Sequence, residues 1–311
     1  MQEYLQNVHK YVAFCGLGRY NREYIIENLM RVVGLDRKGS MKFTKKWKTY
    51  IATGLIIASF GMLAAGCGSS SGSADTDKPL IVGTNATFVP FESKDDKTQQ
   101  LTGFDIDMVN AIAQHLHRKV EFKNVTFDSL IPSLNTHDID MAASGMTITP
   151  ERAQKVLFSM PYYQSGMAIM VKDNSPIKNY EELAGKTIAV QLGSTGATLA
   201  HKIPGAQVKE FNHSNEALLE LQNGGADAVL VDLPVAQYYV AHHKESHEKV
   251  IPYANTKEYF GFAIAKNNPE LQKAVNEALT EMKKDGELNK IYQKWFHVDA
   301  PDMPTQWPES K

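Results

Sequence analysis

Arg152 is the residue whose type and setting most directly suggest ligand chemistry in this chain of 311 residues. From Cys67 onward the chain has 21 Lys but only two Arg, Arg118 and Arg152. A guanidinium keeps its charge and can hold a carboxylate or a phosphate through two parallel hydrogen bonds, which an ammonium cannot do. Because Arg152 follows the turn-like segment Ser144–Pro150, the pattern indicates either a clamp for an anionic ligand or a surface Arg near a helix start.

A second candidate for anion binding is the segment Leu192–Gly196, which reads LGSTG between a predicted strand and a predicted helix. Ser194 and Thr195 would then lie at a helix N-terminus, which suits a carboxylate. A phosphate is the weaker alternative, because Ala197 stands where a phosphate-binding loop has its Lys.

Metal chemistry is poorly supported. His242, His243 and His247 include a pair four residues apart, but no carboxylate motif frames them, and a solvated helix end is the better interpretation. Cys15 and Cys67 are the two cysteines of the chain and fit no metal motif and no disulfide framework. We therefore expect neither a metal nor a cofactor.

The charge is divided unevenly along the chain. Residues 1–66 hold ten basic and four acidic side chains, whereas residues 67–311 hold 23 basic and 31 acidic ones. Because phosphate binding needs a clustered basic face, the acidic body argues against a nucleic-acid partner.

The basic N-terminal part contains a pattern typical of an export signal. The Lys-rich segment Lys42–Lys48 precedes the uncharged, mainly apolar run Tyr50–Ala65, which is short for a membrane-spanning helix. Cys67 follows at once, so the pattern resembles a bacterial lipobox, although Ala64 stands where Leu, Val or Ile is usual. We predict that Cys67 carries acyl chains such as palmitate, which anchor the protein to a membrane.

This interpretation assigns the first 77 residues. We expect 41–66 to be a lipoprotein signal peptide and 67–77 to be a flexible, Ser- and Gly-rich tether. Since a signal peptide should begin a chain, we hypothesise that Met41 is the true start and that 1–40 is a mis-assigned upstream extension.

The body alternates strand-like and helix-like segments, which favours an α/β fold with mainly parallel sheets. Leu80–Ala86 is rich in β-formers, and the next segment has a helical apolar period with Asp105 as a plausible N-cap. Pro132 is expected to interrupt a short helix, and two C-terminal helices are expected to break near Gly286.

Eight segments in a fixed order resemble the polar amino-acid-binding proteins of ABC importers, and most closely their glutamine-binding members. The resemblance covers Leu80 to Phe296. It implies a two-lobed periplasmic-binding-protein (flytrap) fold of type II. The segments are NATFVPFE (85–92), GFDIDMVNAIA (103–113), SLIPSL (129–134), ASGMTITPERA (143–153), FSMPYY (158–163), VQLGSTG (190–196), ADAVLVDLP (226–234) and IYQKWF (291–296).

The same resemblance implies the domain boundaries. Lobe 1 would comprise residues 78–162 plus 261–311, and lobe 2 residues 167–256. Two hinge strands, near Tyr163–Gly166 and Asn255–Phe260, would connect them.

The resemblance also implies roles for individual residues. Arg152 corresponds to the Arg that binds the α-carboxylate, and Asp232, whose alternative role is a helix N-cap, corresponds to the Asp that pairs with the α-ammonium. Phe88 and Phe127, which could equally be core residues, correspond to an aromatic pair around the ligand side chain. Further hydrogen bonds would come from Ser144, Gly145, Thr147, Ser194 and Thr195.

Three departures bear on which amino acid binds. Asn85 stands where glutamine-binding members have Asp, Gln191 where they have Lys, and Val231 where they have His. Losing the carboxylate disfavours a cationic ligand, and losing the Lys disfavours an acidic one, whereas two neutral amides suit a side-chain amide. The sequence therefore favours glutamine, with asparagine and cystine as alternatives.

We expect a non-enzymatic, monomeric binding protein that delivers a free L-amino acid to an ABC permease with its ATPase. Its expected location is the outer face of the cytoplasmic membrane, and the scarcity of Arg favours a Gram-positive cell. The alternative is a dehydratase-like enzyme on the same fold, which would need a general acid or base in the cleft.

Overall fold

The computed structural model describes residues 78–253 and 257–305. The predicted upstream extension 1–40, signal peptide 41–66 and tether 67–77 with Cys67 lie outside the described residues and stay predictions. The described part forms two lobes, each built on a five-stranded sheet.

The sheet of lobe 1 is partly parallel and partly antiparallel. Its strands are, in spatial order, β5 (Val120–Asn124), β1 (Leu80–Thr84), β6 (Met141–Ala142), β15 (Ala263–Ala265) and β7 (Val156–Phe158). β1 runs parallel to β5 and β6, with Leu80 opposite Val120 and Val82 opposite Met141. β15 runs antiparallel to both of its neighbours.

The sheet of lobe 2 repeats this plan. Its strands are β11 (Gln207–Phe211), β10 (Thr187–Gln191), β12 (Ala228–Asp232), β9 (Met167–Lys172) and β13 (Glu248–Pro252). β10 is parallel to β11 and β12, whereas β9 is antiparallel to β12 and β13. The sheets are thus more mixed than predicted, because β9 and β15 enter their lobes directly from the connecting strands and run against the βα units.

Two short antiparallel strands connect the lobes. β8 (Tyr163–Ser165) leads from lobe 1 to lobe 2, and β14 (Glu258–Phe260) leads back. Tyr163 and Phe260 lie opposite each other, and their rings stack at 5.6 Å between centroids. Asn255 of the second predicted hinge lies outside the described residues.

A small three-stranded sheet lies beside lobe 1. It contains β2 (Thr87–Phe88), β3 (Glu92–Lys94) and β4 (Leu101–Thr102).

Helices pack on both sheets. Lobe 1 contains α1 (Phe104–His115), α2 (Leu130–Asn135), α3 (Pro150–Ala153), α7 (Pro269–Asp285) and α8 (Glu287–Phe296). Lobe 2 contains α4 (Thr195–Ala200), α5 (Ser214–Gln222) and α6 (Leu233–His242). Within residues 78–253 and 257–305, no helix combines the length and the apolar character needed to cross a membrane.

Three predictions about individual helix positions can be compared with the structure, and one of them is confirmed. Pro132 does not interrupt its helix, because it is the third residue of α2, where a backbone N–H has no intrahelical partner. Asp105 is not an N-cap: α1 begins at Phe104 and Gly103 precedes it. The predicted break at Gly286 is confirmed, since this residue takes a left-handed φ of 84° between α7 and α8.

An aromatic cluster packs around the connecting strands on the lobe 1 side. Tyr162 stacks on Phe262 with 4.2 Å between ring centroids, and Phe104 meets Tyr292 edge-on at 5.0 Å. All four side chains are almost fully buried. The residues around the start of the connecting strand β8 are therefore tightly packed.

Gly103, immediately before α1, is expected to tolerate no side chain. It has a φ of 142°, and an added Cβ would lie 2.0 Å from the Phe91 carbonyl oxygen. We expect Gly103→Ala to lower the free energy of unfolding by about 3 kcal/mol or more, because strain and overlap add. Gly224→Ala is the control, since its φ of 77° is also positive but, among the described residues beyond its two chain neighbours, no atom lies within 4 Å of the added Cβ.

Denaturant unfolding of both variants measures the difference. An equal loss of stability in the two variants would contradict the packing argument for Gly103.

Candidate functional site

One cleft between the lobes brings together all eleven residues that the sequence nominated for ligand binding. They are Asn85, Phe88, Phe127, Ser144, Gly145, Thr147, Arg152, Gln191, Ser194, Thr195 and Asp232. The cleft is also lined by Glu92 and Ser214, which sequence reasoning missed. Convergence of residues from positions 85 to 232 makes this cleft the candidate site.

Arg152 lies on α3 and is 9% exposed. Thr149 caps the helix by accepting a hydrogen bond from the Arg152 backbone N–H at 3.2 Å. The guanidinium donates to the carbonyl oxygens of Thr147 (2.8 Å, Nη1) and, across the cleft, Gly193 (2.9 Å, Nη2). It also lies 5.2 Å from the centroid of the Phe127 ring. Burial lowers the pKa of Arg152, and the negative charges of nearby carboxylates oppose this effect.

Asp232 supplies the opposite charge at the end of β12. Its carboxylate accepts a hydrogen bond from Ser165 Oγ at 3.0 Å and makes no capping bond to α6, so the alternative role as a capping side chain is not realised. Burial raises the pKa of Asp232 well above its usual value, Glu258 adds to this, and Ser165 and Arg152 oppose it. The cleft thus contains a buried carboxyl group and a buried guanidinium.

Glu258 on β14 is a second carboxylate that the sequence did not nominate. Its Oε2 accepts hydrogen bonds from Thr147 at 3.1 Å and Thr195 at 3.3 Å, one from each lobe. Burial raises the pKa of Glu258, and the two threonine hydroxyls and Arg152 lower it. This side chain therefore helps to hold the lobes together beside the guanidinium.

Asn85 and Gln191 bind each other across the cleft. Gln191 Nε2 donates to Asn85 Oδ1 at 3.0 Å, and Thr87 Oγ1 donates to the same oxygen at 2.8 Å. Asn85 Nδ2 donates to the Val125 carbonyl oxygen at 2.8 Å and to His213 Nδ1 at 3.0 Å. The Asn85 amide is therefore fully occupied by protein partners.

Glu92 is the most deeply buried polar side chain lining the cleft, with no exposed surface. Its Oε1 accepts a hydrogen bond from Ser144 Oγ at 2.7 Å, and Ser144 Oγ accepts one from the Asn85 backbone N–H at 3.0 Å. Its Oε2 has no hydrogen-bond partner among the described residues. Burial raises the pKa of Glu92 well above its usual value, with added repulsion from Asp105 and Asp232.

The signal for Glu92 was present in the sequence, because this residue ends the segment 85–92 that carries part of the resemblance. What the sequence did not give was the direction of its side chain.

Two aromatic residues of lobe 1 and the segment 194–196 of lobe 2, called here the lobe 2 loop, line the walls of the cleft. Phe88 and Phe127 are 7% and 9% exposed, and Phe127 faces the guanidinium of Arg152. Ser194 caps α4 by accepting a hydrogen bond from the Ala197 backbone N–H at 3.0 Å.

The three histidines considered above as possible metal ligands do not line the cleft. His242 and His243 stack on Tyr238 and Tyr239, four residues earlier on α6. Within the described ranges, one group of three metal-type ligands lies close together, formed by His115, Asp285 and Glu287 on lobe 1. None of these residues lines the cleft.

Comparisons with known proteins agree with this geometry. A family model of bacterial extracellular solute-binding proteins, family 3, matches residues 80–298. The arginine-binding extracellular protein ArtP of Bacillus subtilis (strain 168) is 36% identical over 257 residues, which cover 81% of this chain and 98% of that protein.

Two solved structures of an ancestral arginine-binding protein are also similar, each 46% identical and covering 71% of this chain. The structure bound to arginine has a TM-score of 0.69 and is covered to 99%, and the structure bound to glutamine has a TM-score of 0.66 and is covered to 98%. These matches confirm the predicted resemblance and fold class.

Proposed function

Because the chain belongs to the bacterial extracellular solute-binding proteins of family 3, we propose that its cleft captures a free L-amino acid for delivery to an ABC importer. One observation carries the proposal: buried Arg152 and buried Asp232 face the same cleft with opposite charges. A zwitterion with a carboxylate and an ammonium on one carbon offers the complementary pair, and only a ligand that pairs both charges is bound favourably in a buried site.

Arg152 has donors to spare for a carboxylate. A guanidinium carries five N–H groups, and the two hydrogen bonds to Thr147 and Gly193 leave the others for a bidentate ligand. Asp232 would take the α-ammonium, whose charge would also relieve the repulsion between Asp232 and Glu258. Thr147, Gly145, Ser194 and Thr195 remain our proposed supporting contacts.

Closure follows from the same contacts. We propose that lobe 1 (78–162 plus 261–311) closes on lobe 2 (167–256) about β8 and β14. A ligand shifts the population towards the closed form only through contacts that the open form lacks, and here Asp232 and the lobe 2 loop would provide them.

Glutamine remains the ligand proposed from Asn85 and Gln191. Since the Asn85 amide is occupied by protein partners, we propose that the ligand uses the Gln191 amide. Its Oε1 would accept a hydrogen bond from an N–H of the ligand side chain. The glutamine-bound ancestral protein supports this choice by similarity.

Arginine is the second candidate, and Glu92 favours it. The sequence-based argument against a cationic ligand assumed that replacing Asp by Asn85 leaves no carboxylate at this end of the cleft. Glu92 supplies one, with an oxygen that has no hydrogen-bond partner among residues 78–253 and 257–305. The side chains of glutamine and arginine both end in N–H groups, and this oxygen can accept a hydrogen bond from either. The similar ArtP is named for arginine.

We propose that no chemical change accompanies binding. The alternative enzyme needs a general acid or base, and more such groups lie here than the sequence suggested. Glu92 lines the cleft with Asp232, and Glu258 lies beside it, bonded to Thr147 and Thr195. Recovery of the bound ligand unchanged after prolonged incubation separates a binding protein from a dehydratase-like enzyme.

Membrane anchoring, a monomeric state and an outer-surface location in a Gram-positive cell also remain proposals. They rest on the segment 41–67 and on composition, and Cys67 is the residue that would carry the acyl chains.

Replacing Arg152 is expected to remove binding. Thermal unfolding of the refolded, ligand-free protein is measured with all twenty amino acids and cystine, and a ligand at a thousand times its Kd should stabilise by about 4 kcal/mol. We expect glutamine, arginine or both to raise the Tm, and Arg152→Ala to weaken that binding by about a hundredfold or more, because a buried carboxylate loses its charged donor.

Lys155→Ala is the matched control, because Lys155 follows the same short helix and pairs with Glu151 on the surface. Retained affinity in Arg152→Ala, measured by titration calorimetry, would refute the clamp.

Replacing Glu92 is expected to separate the two ligand candidates. Glu92→Gln keeps an acceptor for Ser144 but removes the charge, so a guanidinium would lose an ionic partner that a side-chain amide does not need. We expect arginine affinity to fall about tenfold more than glutamine affinity. Glu121→Gln on the exposed edge strand β5 is the control.

Equal effects of Glu92→Gln on the two affinities would exclude Glu92 as the residue that distinguishes them.

Lipidation is tested in the native host. We expect the intact chain to fractionate with membranes and Cys67→Ala to be released into the medium, because acyl chains provide the anchor. Ser69→Ala in the predicted tether serves as the control, and membrane association of Cys67→Ala would contradict the proposal.

A further inference from the structure

Asp105 is a fully buried carboxylate outside the cleft, directly behind the segment that lines it. It is the second residue of α1, where an acidic side chain is usually explained by the helix dipole. Its hydrogen bonds point elsewhere. Oδ2 accepts from the Gly145 backbone N–H at 2.9 Å and from the Tyr162 hydroxyl at 2.7 Å.

The bond to Gly145 fixes a peptide group of the cleft. Gly145 has a φ of 50°, and the Phe88 ring lies so close that an added Cβ would be 2.6 Å from it. In a planar trans peptide the N–H and the preceding C=O point in opposite directions. With the Gly145 N–H directed at Asp105, the Ser144 carbonyl oxygen is therefore directed away from Asp105. Both residues of this peptide line the cleft.

The bond to Tyr162 ties this peptide to the base of the hinge. Tyr162 immediately precedes β8, its ring stacks on Phe262, and its carbonyl oxygen accepts a hydrogen bond from the Tyr292 hydroxyl at 2.6 Å. One carboxylate oxygen thus connects the binding segment to the strand that leads into lobe 2.

We propose that Asp105 is a positioning residue, which orients the Ser144–Gly145 peptide for the ligand and does so best when ionised. The inference rests on the proposed amino-acid binding. Both donors use Oδ2, and Oδ1 has no hydrogen-bond partner among the described residues. A proton on Oδ1 would therefore be a buried donor without an acceptor and would weaken the charge-assisted bonds to Oδ2.

The surroundings place this protonation near neutral pH. Burial raises the pKa of Asp105 to about 7, although the Gly145 and Tyr162 hydrogen bonds lower it. The titratable groups that interact with Asp105 are Glu92 from β3, Tyr162 and Tyr292 from α8. Burial raises the pKa of all three, so both tyrosines stay neutral across the physiological range.

The sign of the pH dependence follows. If the complex favours ionised Asp105, binding releases a proton below pH 7, and affinity rises as pH increases towards about 7 and then levels off. Asp232 and Glu92 can contribute the same sign, so the test compares variants at Asp105 rather than the wild-type profile alone.

The experiment titrates glutamine and arginine into the full mature protein from pH 5.5 to 8.5 by calorimetry. We expect Asp105→Ala to bind about tenfold more weakly at pH 8, because the Gly145 N–H loses its acceptor. We expect Asp105→Asn, which is neutral at every pH but keeps an oxygen for the same two bonds, to bind about threefold more weakly than wild type at pH 8 and to show a smaller rise in affinity with pH below pH 7 than wild type does.

Asp107→Asn is the matched control on the same helix, where Asp107 pairs with Lys294 at 2.6 Å. Wild-type affinity in Asp105→Ala, or parallel pH profiles for wild type and Asp105→Asn, would overturn the inference and leave the proposed function intact. If Asp105→Ala does not fold, the comparison of the two profiles decides. Failure of wild type to bind either amino acid would overturn the proposed function and this inference with it.

Discussion

A buried guanidinium with incomplete pairing is the constraint on which the arrangement of the cleft depends. Arg152 donates to two carbonyl oxygens, one from each lobe, and neither carries a formal charge. Burying a cation without a close anion is unfavourable, and the carboxylates of Asp232 and Glu258 offset that cost only through space. In the proposed function a ligand carboxylate would complete the pairing, and closure about the short strands β8 and β14 would let the lobes enclose it.

Carboxylates in and beside the cleft outnumber this cation. Asp232, Glu258 and Glu92 all have raised pKa values, and burial is the main cause in each case. A cleft of this kind favours a ligand that brings positive charge as well as a carboxylate. The α-ammonium meets that requirement for any amino acid, and a guanidinium side chain would meet it a second time.

The sequence predicted those features that depend on short, local segments. The alternation of strands and helices, the isolated Arg152 and the acidic end of strand β12 at Asp232 all lie in short, recognisable segments. The sequence did not predict the roles of residues whose hydrogen-bond partners lie far away along the chain. Asp105 resembles a helix-start charge, yet its partners Gly145 and Tyr162 lie 40 and 57 residues away. Glu258 likewise meets Thr147 and Thr195 only after both lobes have folded.

Ligand selection depends on which polar atoms the protein leaves unused. Sequence reasoning gave that role to Asn85 and Gln191, because amides stand where related proteins have a carboxylate and a Lys. In the structure every hydrogen-bonding position of Asn85 is taken by Gln191, Thr87, Val125 or His213. Within the part of the chain that the structure describes, Glu92 keeps one buried oxygen without a hydrogen-bond partner, and such an atom is costly unless a donor meets it. We therefore propose Glu92 as the contact that discriminates between ligands, whereas Asn85 hydrogen-bonds to Gln191 across the cleft.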